Sequence, residues 1–192
     1  MIIDTLFLFI FIALVEKGLL LATTISVASW FALAALSLPL KELPSWITSL
    51  VYLGVSSLIF IVAEQKLGIQ SLPKTNKKFS NLQLITRAMF AGLVVGGAVT
   101  IGRTGNAYWS RLFSIFPAVM LSSMVILTMS AGSQFARATG KIMIITSANI
   151  VVYGWAVSLS YPALGLIWGT LFAYLLAAIS VYLLRPLVAK TK

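Results

Sequence analysis

Residues 2–39 of the 192-residue chain read IIDTLFLFIFIALVEKGLLLATTISVASWFALAALSLP, and only Asp4, Glu16 and Lys17 carry a charge in this run. A helix needs about 20 apolar residues to cross the roughly 30 Å hydrocarbon core of a bilayer. The run is therefore too long for one crossing, and we predict two helices. The turn between them is expected either at Glu16-Lys17-Gly18 or at Ala22-Thr23-Thr24.

The composition extends this interpretation to the rest of the chain. Hydrophobic residues make up 60% of the sequence and charged residues 9%, whereas soluble proteins carry about 25% charged residues. A segment in lipid must close its backbone hydrogen bonds internally, which favours helices. We therefore predict an all-α fold, a polytopic transmembrane helical bundle of about seven spans. The further spans are expected at 45–63, 85–102, 110–130, 142–159 and 163–184.

A polar segment separates the apolar runs into two groups. Residues 65–84 contain turn residues and several lysines, so we predict a cytoplasmic basic linker. It divides an N-terminal membrane half (1–64) of about three helices from a C-terminal half (85–192) of about four. The expected location is the prokaryotic cytoplasmic (inner) membrane, with the N-terminus outside and the C-terminus cytoplasmic. If successive spans cross the membrane in alternating directions from this cytoplasmic linker, the basic residues that fall on the outer side are Lys41, Arg103 and Arg111.

A short pattern occurs once in each half, as Trp30, Leu33 and Pro39, and again as Trp109, Leu112 and Pro117. If it reflects duplication, residues 6–23 correspond to 85–102 and the first turn follows Ala22. The matched helices would then cross the membrane in opposite directions, as in the inverted repeats of transporters. Chance similarity between two Trp-containing apolar stretches is the alternative explanation.

Several classes of chemistry are excluded by the residue content. The chain has no Cys and no His, which rules out disulfides, thiolate chemistry and imidazole-bound metals. It shows no nucleotide-binding loop and no nucleophile–base constellation. We therefore expect a protein that is not an enzyme, with no catalytic residue, metal or cofactor. The net charge is +10, and the basic residues lie between the apolar runs. We therefore expect contact with membrane lipids and no nucleic-acid partner.

Carboxylates are confined to the first 64 residues, where Asp4, Glu16, Glu42 and Glu64 lie. Proton or sodium relays in membranes use intramembrane carboxylates, which makes Glu16 the candidate coupling acid and leaves Glu64 as a second choice. The alternative for Glu16 is a turn residue that pairs with Lys17 at the membrane surface.

Residues 102–117 contain the densest group of potential ligands. Arg103 and Arg111 could hold an anion together with free N–H groups at a helix start. Pro117 is expected to kink the span that begins near residue 110 and to free a carbonyl. Alternatively, the segment is an interfacial loop whose aromatic residues and arginines meet the lipid headgroups. The candidate substrate-binding residues are Arg103, Asn106, Arg111, Ser114, Pro117, Ser122 and Asn149; for Asn149 the alternative is a helix-to-helix hydrogen bond.

Two pairs of glycines have the GxxxG spacing, Gly92 with Gly96 and Gly165 with Gly169. Such pairs allow helices to approach closely. We interpret them as packing positions, and they are also the surfaces through which a homo-oligomer would form.

The stretch from the glycines at 92–97, through Trp109, to LFSIFPAVMLSSM at 112–124, followed by Gly132 and Phe135-Ala136, resembles a known family. It is similar to small prokaryotic integral membrane proteins of unknown function, including the GlpM-like ones. In these a Gly-rich span precedes an F-S-x-F-P-A segment and a Ser-containing helix. The likeness covers residues 85–140, and the first half offers only the counterpart Leu36-Ser37-Leu38-Pro39. The resemblance implies a helical membrane protein and no particular activity.

Two functions are compatible with these patterns. The first is a small transporter or carrier for an anionic or neutral solute, with its site where the Pro117 helix meets the region of Pro39. The second is a non-transporting protein that binds lipid or a partner subunit, with the basic loop at 66–78 on anionic headgroups. GxxxG faces that point outward would favour the second function, whereas inward faces beside a polar cavity would favour the first.

Overall fold

The computed structural model describes residues 1–37, 44–69, 81–104, 113 and 116–190. The regular elements in these ranges are all helices, which confirms the all-α class. A three-residue 3-10 turn, Val15–Lys17, follows the first helix. The α-helices are α1 (Ile2–Leu14), α2 (Leu19–Ser37), α3 (Ser45–Gln65), α4 (Asn81–Thr104), α5 (Ala118–Ala131), α6 (Ser133–Thr146) and α7 (Ala148–Lys190).

Within the described ranges, three helical stretches are long and apolar enough to cross a membrane: Leu19–Ser37, Ser45–Gln65 and Ser133–Leu183. By contrast, α1 has 13 residues and α5 has 14, so each rises only about 20 Å, less than the hydrocarbon core. The structure thus contains helices suited to a membrane, and the number of spans stays a prediction.

The turn between the first two helices lies at Val15–Gly18. Gly18 has a φ of 142°, a conformation that glycine adopts without the clash of a Cβ. The turn confirms the first of the two predicted positions. The duplication required one helix through residues 6–23, and that alignment is wrong because α1 ends at Leu14.

One face of α2 is buried at every fourth residue: Ala22, Ser26, Trp30 and Ala34. At Trp30 the indole nitrogen donates a hydrogen bond of 2.9 Å to Oδ1 of Asp4, which joins α2 to α1. The ring of Trp30 also packs edge-on against Phe116, with centroids 5.2 Å apart. Because Phe116 stands just before α5, this contact packs the start of that helix near α2.

The long helix α7 reverses direction at Gly165, whose backbone is not helical (φ 71°, ψ −178°). Ser160 Oγ donates to the carbonyl of Gly169 at 3.1 Å, and the rings of Tyr153 and Tyr174 lie 5.2 Å apart. In a straight helix these tyrosines would be about 31 Å apart. Segments 148–164 and 166–190 therefore run antiparallel, as two helices separated by a turn.

This hairpin moves the turn predicted between 142–159 and 163–184 to Gly165. The first of its helices begins at Ala148 and not at residue 142, because a turn at Ser147 separates it from α6. One GxxxG assignment is corrected, because Gly165 is the reversal itself and not a position within a helix face. Gly169 does allow close approach, since a Cβ built there would lie 2.7 Å from Cδ1 of Tyr161. Gly92 and Gly96 on α4 are exposed, with open space where a Cβ would stand.

The chain forms two compact units. One contains residues 1–42 and 72–140, and the other contains residues 43–71 and 141–192. Helix α6 contributes its first part to one unit and its second part to the other. Most of the predicted linker at 65–84 lies outside the described residues, so the division into two membrane halves stays a prediction.

Gly169→Ala tests the hairpin. The added methyl group meets the ring of Tyr161, and overpacking of this kind costs about 1–3 kcal/mol. We expect a lower thermal midpoint in detergent than for the wild type. Gly154→Ala, in the other segment of the hairpin, meets open space and is the matched control, with an unchanged or slightly raised midpoint. Equal effects of the two substitutions would contradict the hairpin.

Candidate functional site

Part of the predicted anion clamp cannot be placed. Asn106, Arg111 and Ser114 lie outside the described residues, as does Pro39. Arg103 lies exposed in the last turn of α4. The role of the two arginines therefore stays a prediction.

Pro117 does not kink a span. It immediately precedes α5, where the missing N–H of proline is harmless. The carbonyl that would lose its helical donor to Pro117 is that of Phe113, and it accepts a hydrogen bond from the backbone N–H of Phe116 at 3.2 Å. Of the predicted span at 110–130, residues 110–112, 114 and 115 lie outside the described residues, Phe113 is helical, and a helix covers the part from Ala118 onward.

Ser122 and Asn149 are engaged within their own units. Ser122 is buried, and its Oγ donates to the carbonyl of Val119 in the same helix at 3.1 Å. Oδ1 of Asn149 accepts a hydrogen bond from Ser180 on the returning segment of α7. The helix-to-helix hydrogen bond considered for Asn149 is therefore present.

Glu16, the candidate coupling acid, forms an ion pair with Arg137 on α6. The guanidinium side chain is 13% exposed and the carboxylate side chain 47%, so the pair lies at the edge of its unit. Arg137 lies between two predicted spans, where the structure has the helix α6; the side of the membrane on which it lies stays a prediction. The ion pair joins the 3-10 turn after α1 to α6 and replaces the suggested partner Lys17.

A second basic residue of α6 is fully buried. Lys141 has a side-chain exposure of 0%, and its ammonium donates a 2.6 Å hydrogen bond to the carbonyl of Ile69. An oxygen of Glu64 lies 3.8 Å from the same nitrogen. The ring of Phe60 is below it, with its centroid 5.5 Å away. Lys141 is therefore a buried cation held by a carbonyl, a carboxylate and an aromatic face.

Sequence reasoning missed this lysine because the positive-inside rule treats Lys and Arg as loop residues. A signal was present in the spacing of Arg137 and Lys141. Residues four apart share one face of a helix, and the run that follows Lys141 is apolar. Two basic residues at this spacing therefore indicated a helix with one charged face.

The second unit also contains a row of polar side chains where α3 packs antiparallel to the stretch around 141–155. We call Ser49, Tyr52, Ser56, Ser147 and Trp155 the polar seam. At one end, the indole nitrogen of Trp155 donates to Ser49 Oγ at 3.0 Å. Further along, the hydroxyl oxygens of Tyr52 and Ser147 lie 2.7 Å apart.

The direction of the central hydrogen bond follows from the proton count. Ser147 has one hydroxyl proton, and its Oγ lies 2.8 Å from the carbonyl of Ile144, which can only accept. Tyr52 must therefore donate to Ser147. The tyrosine oxygen keeps its lone pairs for a further donor.

Ser56 is the incompletely bonded member of the polar seam. Its residue exposure is 4%, and its hydroxyl has no hydrogen-bond partner among the described residues. It lies one turn after Tyr52 on the buried face of α3. Helical Ser and Thr commonly donate to the carbonyl three or four residues earlier, as Ser49 does to Ser45 at 2.7 Å. Ser56 instead keeps its donor and acceptor capacity at the interface.

No family model, curated protein or solved structure matches this chain. The assignment of a function therefore depends on the geometry of these side chains.

A double-mutant cycle with Glu16→Gln and Arg137→Gln tests the ion pair of the first unit. Because the carboxylate is half exposed, we expect a coupling energy of about 0.5–1 kcal/mol in chemical unfolding. The matched cycle pairs Glu16→Gln with Lys17→Gln and should show coupling near zero. A larger coupling to Lys17 than to Arg137 would refute the assignment.

Proposed function

We propose that this chain is a small multi-pass carrier of the prokaryotic cytoplasmic membrane that moves a small anionic or neutral solute. The observation that carries the proposal is the polar seam, with the unbonded hydroxyl of Ser56 inside a helix long enough to cross the bilayer. The proposal includes the seven-span topology, the cytoplasmic basic linker and kinship with the GlpM-like proteins.

The position of Ser56 supports a solute path. Helix α3 has 21 residues and rises about 31 Å, close to the thickness of the hydrocarbon core. Ser56 lies near its midpoint, at the depth where secondary transporters commonly bind their substrates. The seam thus offers hydrogen-bonding groups at the middle of the membrane.

Energetics supports the same function. Burying a hydroxyl without a partner costs about 1–3 kcal/mol by mutational measures. A helix that only had to pack could avoid this cost through a bond to its own backbone or through an alanine. The hydroxyl of Ser56 has no hydrogen-bond partner among the described residues and lies one turn from the hydroxyl of Tyr52. Together these two groups are suited to bind a polar group of a solute.

One observation favours the second function, binding to a partner subunit. Gly92 and Gly96 face open space on α4, and an outward GxxxG face permits a close helix contact with another chain. Contact between two copies is compatible with transport through the second unit. The basic loop at 66–78 is largely outside the described residues, and its contact with lipid headgroups stays a prediction.

Ser56→Leu tests the carrier in proteoliposomes by osmotic swelling. The solutes are sorbitol, or potassium gluconate with valinomycin to carry the cation. We expect wild-type vesicles to swell faster than protein-free vesicles in at least one solute. The leucine should fill the seam and slow this rate by about tenfold, equivalent to ~1.4 kcal/mol on the barrier.

Ser57→Leu is the matched control, because Ser57 is the next residue of α3 and is exposed. It should retain the wild-type rate. Monodispersity and thermal midpoints of both variants in detergent show that they are folded. Swelling of wild-type vesicles no faster than that of protein-free vesicles would refute the carrier, and equal rates for both variants would remove the seam from its path.

A further inference from the structure

We infer that Lys141 is a binding site for a small monoanion of the carboxylate type, and that Glu64 occupies this site when the solute is absent. The binding step depends on the second unit alone. The conclusion that the monoanion is the transported solute rests on the proposed carrier function.

Among the described residues, the ammonium group of Lys141 has one hydrogen bond and one longer ion-pair contact. An ammonium has three N–H donors. The carbonyl of Ile69 takes one of them at 2.6 Å, and it stands just after Gly68, whose φ of 57° turns the chain at the end of α3. The carboxylate of Glu64 is 3.8 Å away, which is within ion-pair range and beyond hydrogen-bond length.

Charge balance requires an anion at this position. A buried cation that loses its counter-ion costs several kcal/mol, and Lys141 is fully buried. The ring of Phe60 supplies only a weak cation–π attraction. Glu64 is therefore needed while the site holds no other anion.

The carboxylate of Glu64 is placed so that it can move away from the ammonium group of Lys141. The side chain of Glu64 is 36% exposed, so the carboxylate can rotate toward water and leave the ion pair. A monoanion that enters at the same time restores neutrality at Lys141. A neutral solute or a cation does not restore it, and a dianion overcompensates the single positive charge.

The site lies on the same interface as the polar seam. Six residues separate Lys141 from Ser147, a rise of about 9 Å along a helix. A small anion that leaves the ammonium therefore meets the hydroxyls of Tyr52, Ser147 and Ser56 next. A carboxylate accepts hydrogen bonds, which is what these hydroxyls offer.

The test is the thermal unfolding of the full chain in detergent with acetate as the probe and acetamide as its uncharged counterpart. A ligand that binds only the folded state raises the midpoint. We expect acetate to raise the wild-type midpoint by ~2–4 °C at saturation, and acetamide to have no effect. Lys141→Met should abolish the acetate effect. Lys66→Met changes an exposed lysine that directly follows α3, the helix of Glu64, and should retain the acetate effect.

Glu64→Gln provides an independent measurement if Lys141→Met does not fold. Removal of the internal competitor should lower the apparent Kd for acetate by at least about tenfold. An unchanged Kd, or an acetate effect that survives Lys141→Met, would overturn the anion site and leave the lysine as a cap of the α3 end. Stabilisation by added phosphatidylglycerol but not by acetate would also overturn it, in favour of a lipid headgroup.

The swelling assay separates this inference from the carrier. Loss of acetate binding in Lys141→Met, combined with no flux through wild-type vesicles, supports the site and refutes transport. Gluconate flux that is equal in wild type and Lys141→Met supports transport and refutes the role of Lys141.

Discussion

A polar side chain among apolar helices must find its partner inside the protein, and this constraint determines how the helices pair within each unit. Apolar contacts do not select partners in a bilayer, because acyl chains solvate leucine as well as another helix does. The selective contacts here join distant parts of the sequence: Asp4 with Trp30, Tyr52 with Ser147, Lys141 with Ile69, and Asn149 with Ser180. Each contact fixes the register of two segments that hydrophobicity alone leaves free to slide.

The same constraint explains how far the sequence could predict the fold. Hydropathy located α3 closely: the segment predicted at 45–63 is helical and extends two residues further, to Gln65. The charged pair Glu16-Lys17 beside Gly18 marked the first turn correctly. The helix around Arg137 was missed, because a rule for the side of the membrane says nothing about backbone conformation. Its acidic partner is more than a hundred residues earlier, and such pairings are tertiary information.

Proline and glycine show a second limit. The sequence locates Pro117 but does not show whether it kinks a helix or precedes one. In the structure it precedes one, and the ring of Phe116, the residue before it, packs against Trp30. Gly165 belonged to a spacing typical of helix contacts, yet its positive φ makes it a turn. In both cases the local residue permits two structures, and contacts from elsewhere select one.

Among the described residues, buried hydroxyls without a hydrogen-bond partner occur on both α2 and α3. On α2 these are the hydroxyl oxygens of Thr23 and Ser26, but the buried face that holds Ser26 packs against the Phe- and Leu-rich face of α1. Ser56 instead follows Tyr52 on a face with further hydroxyls, and Lys141 on the same interface has a carboxylate just beyond hydrogen-bond length. A polar ligand would complete these contacts, and for this reason the proposed site lies at this interface and not in the arginine segment.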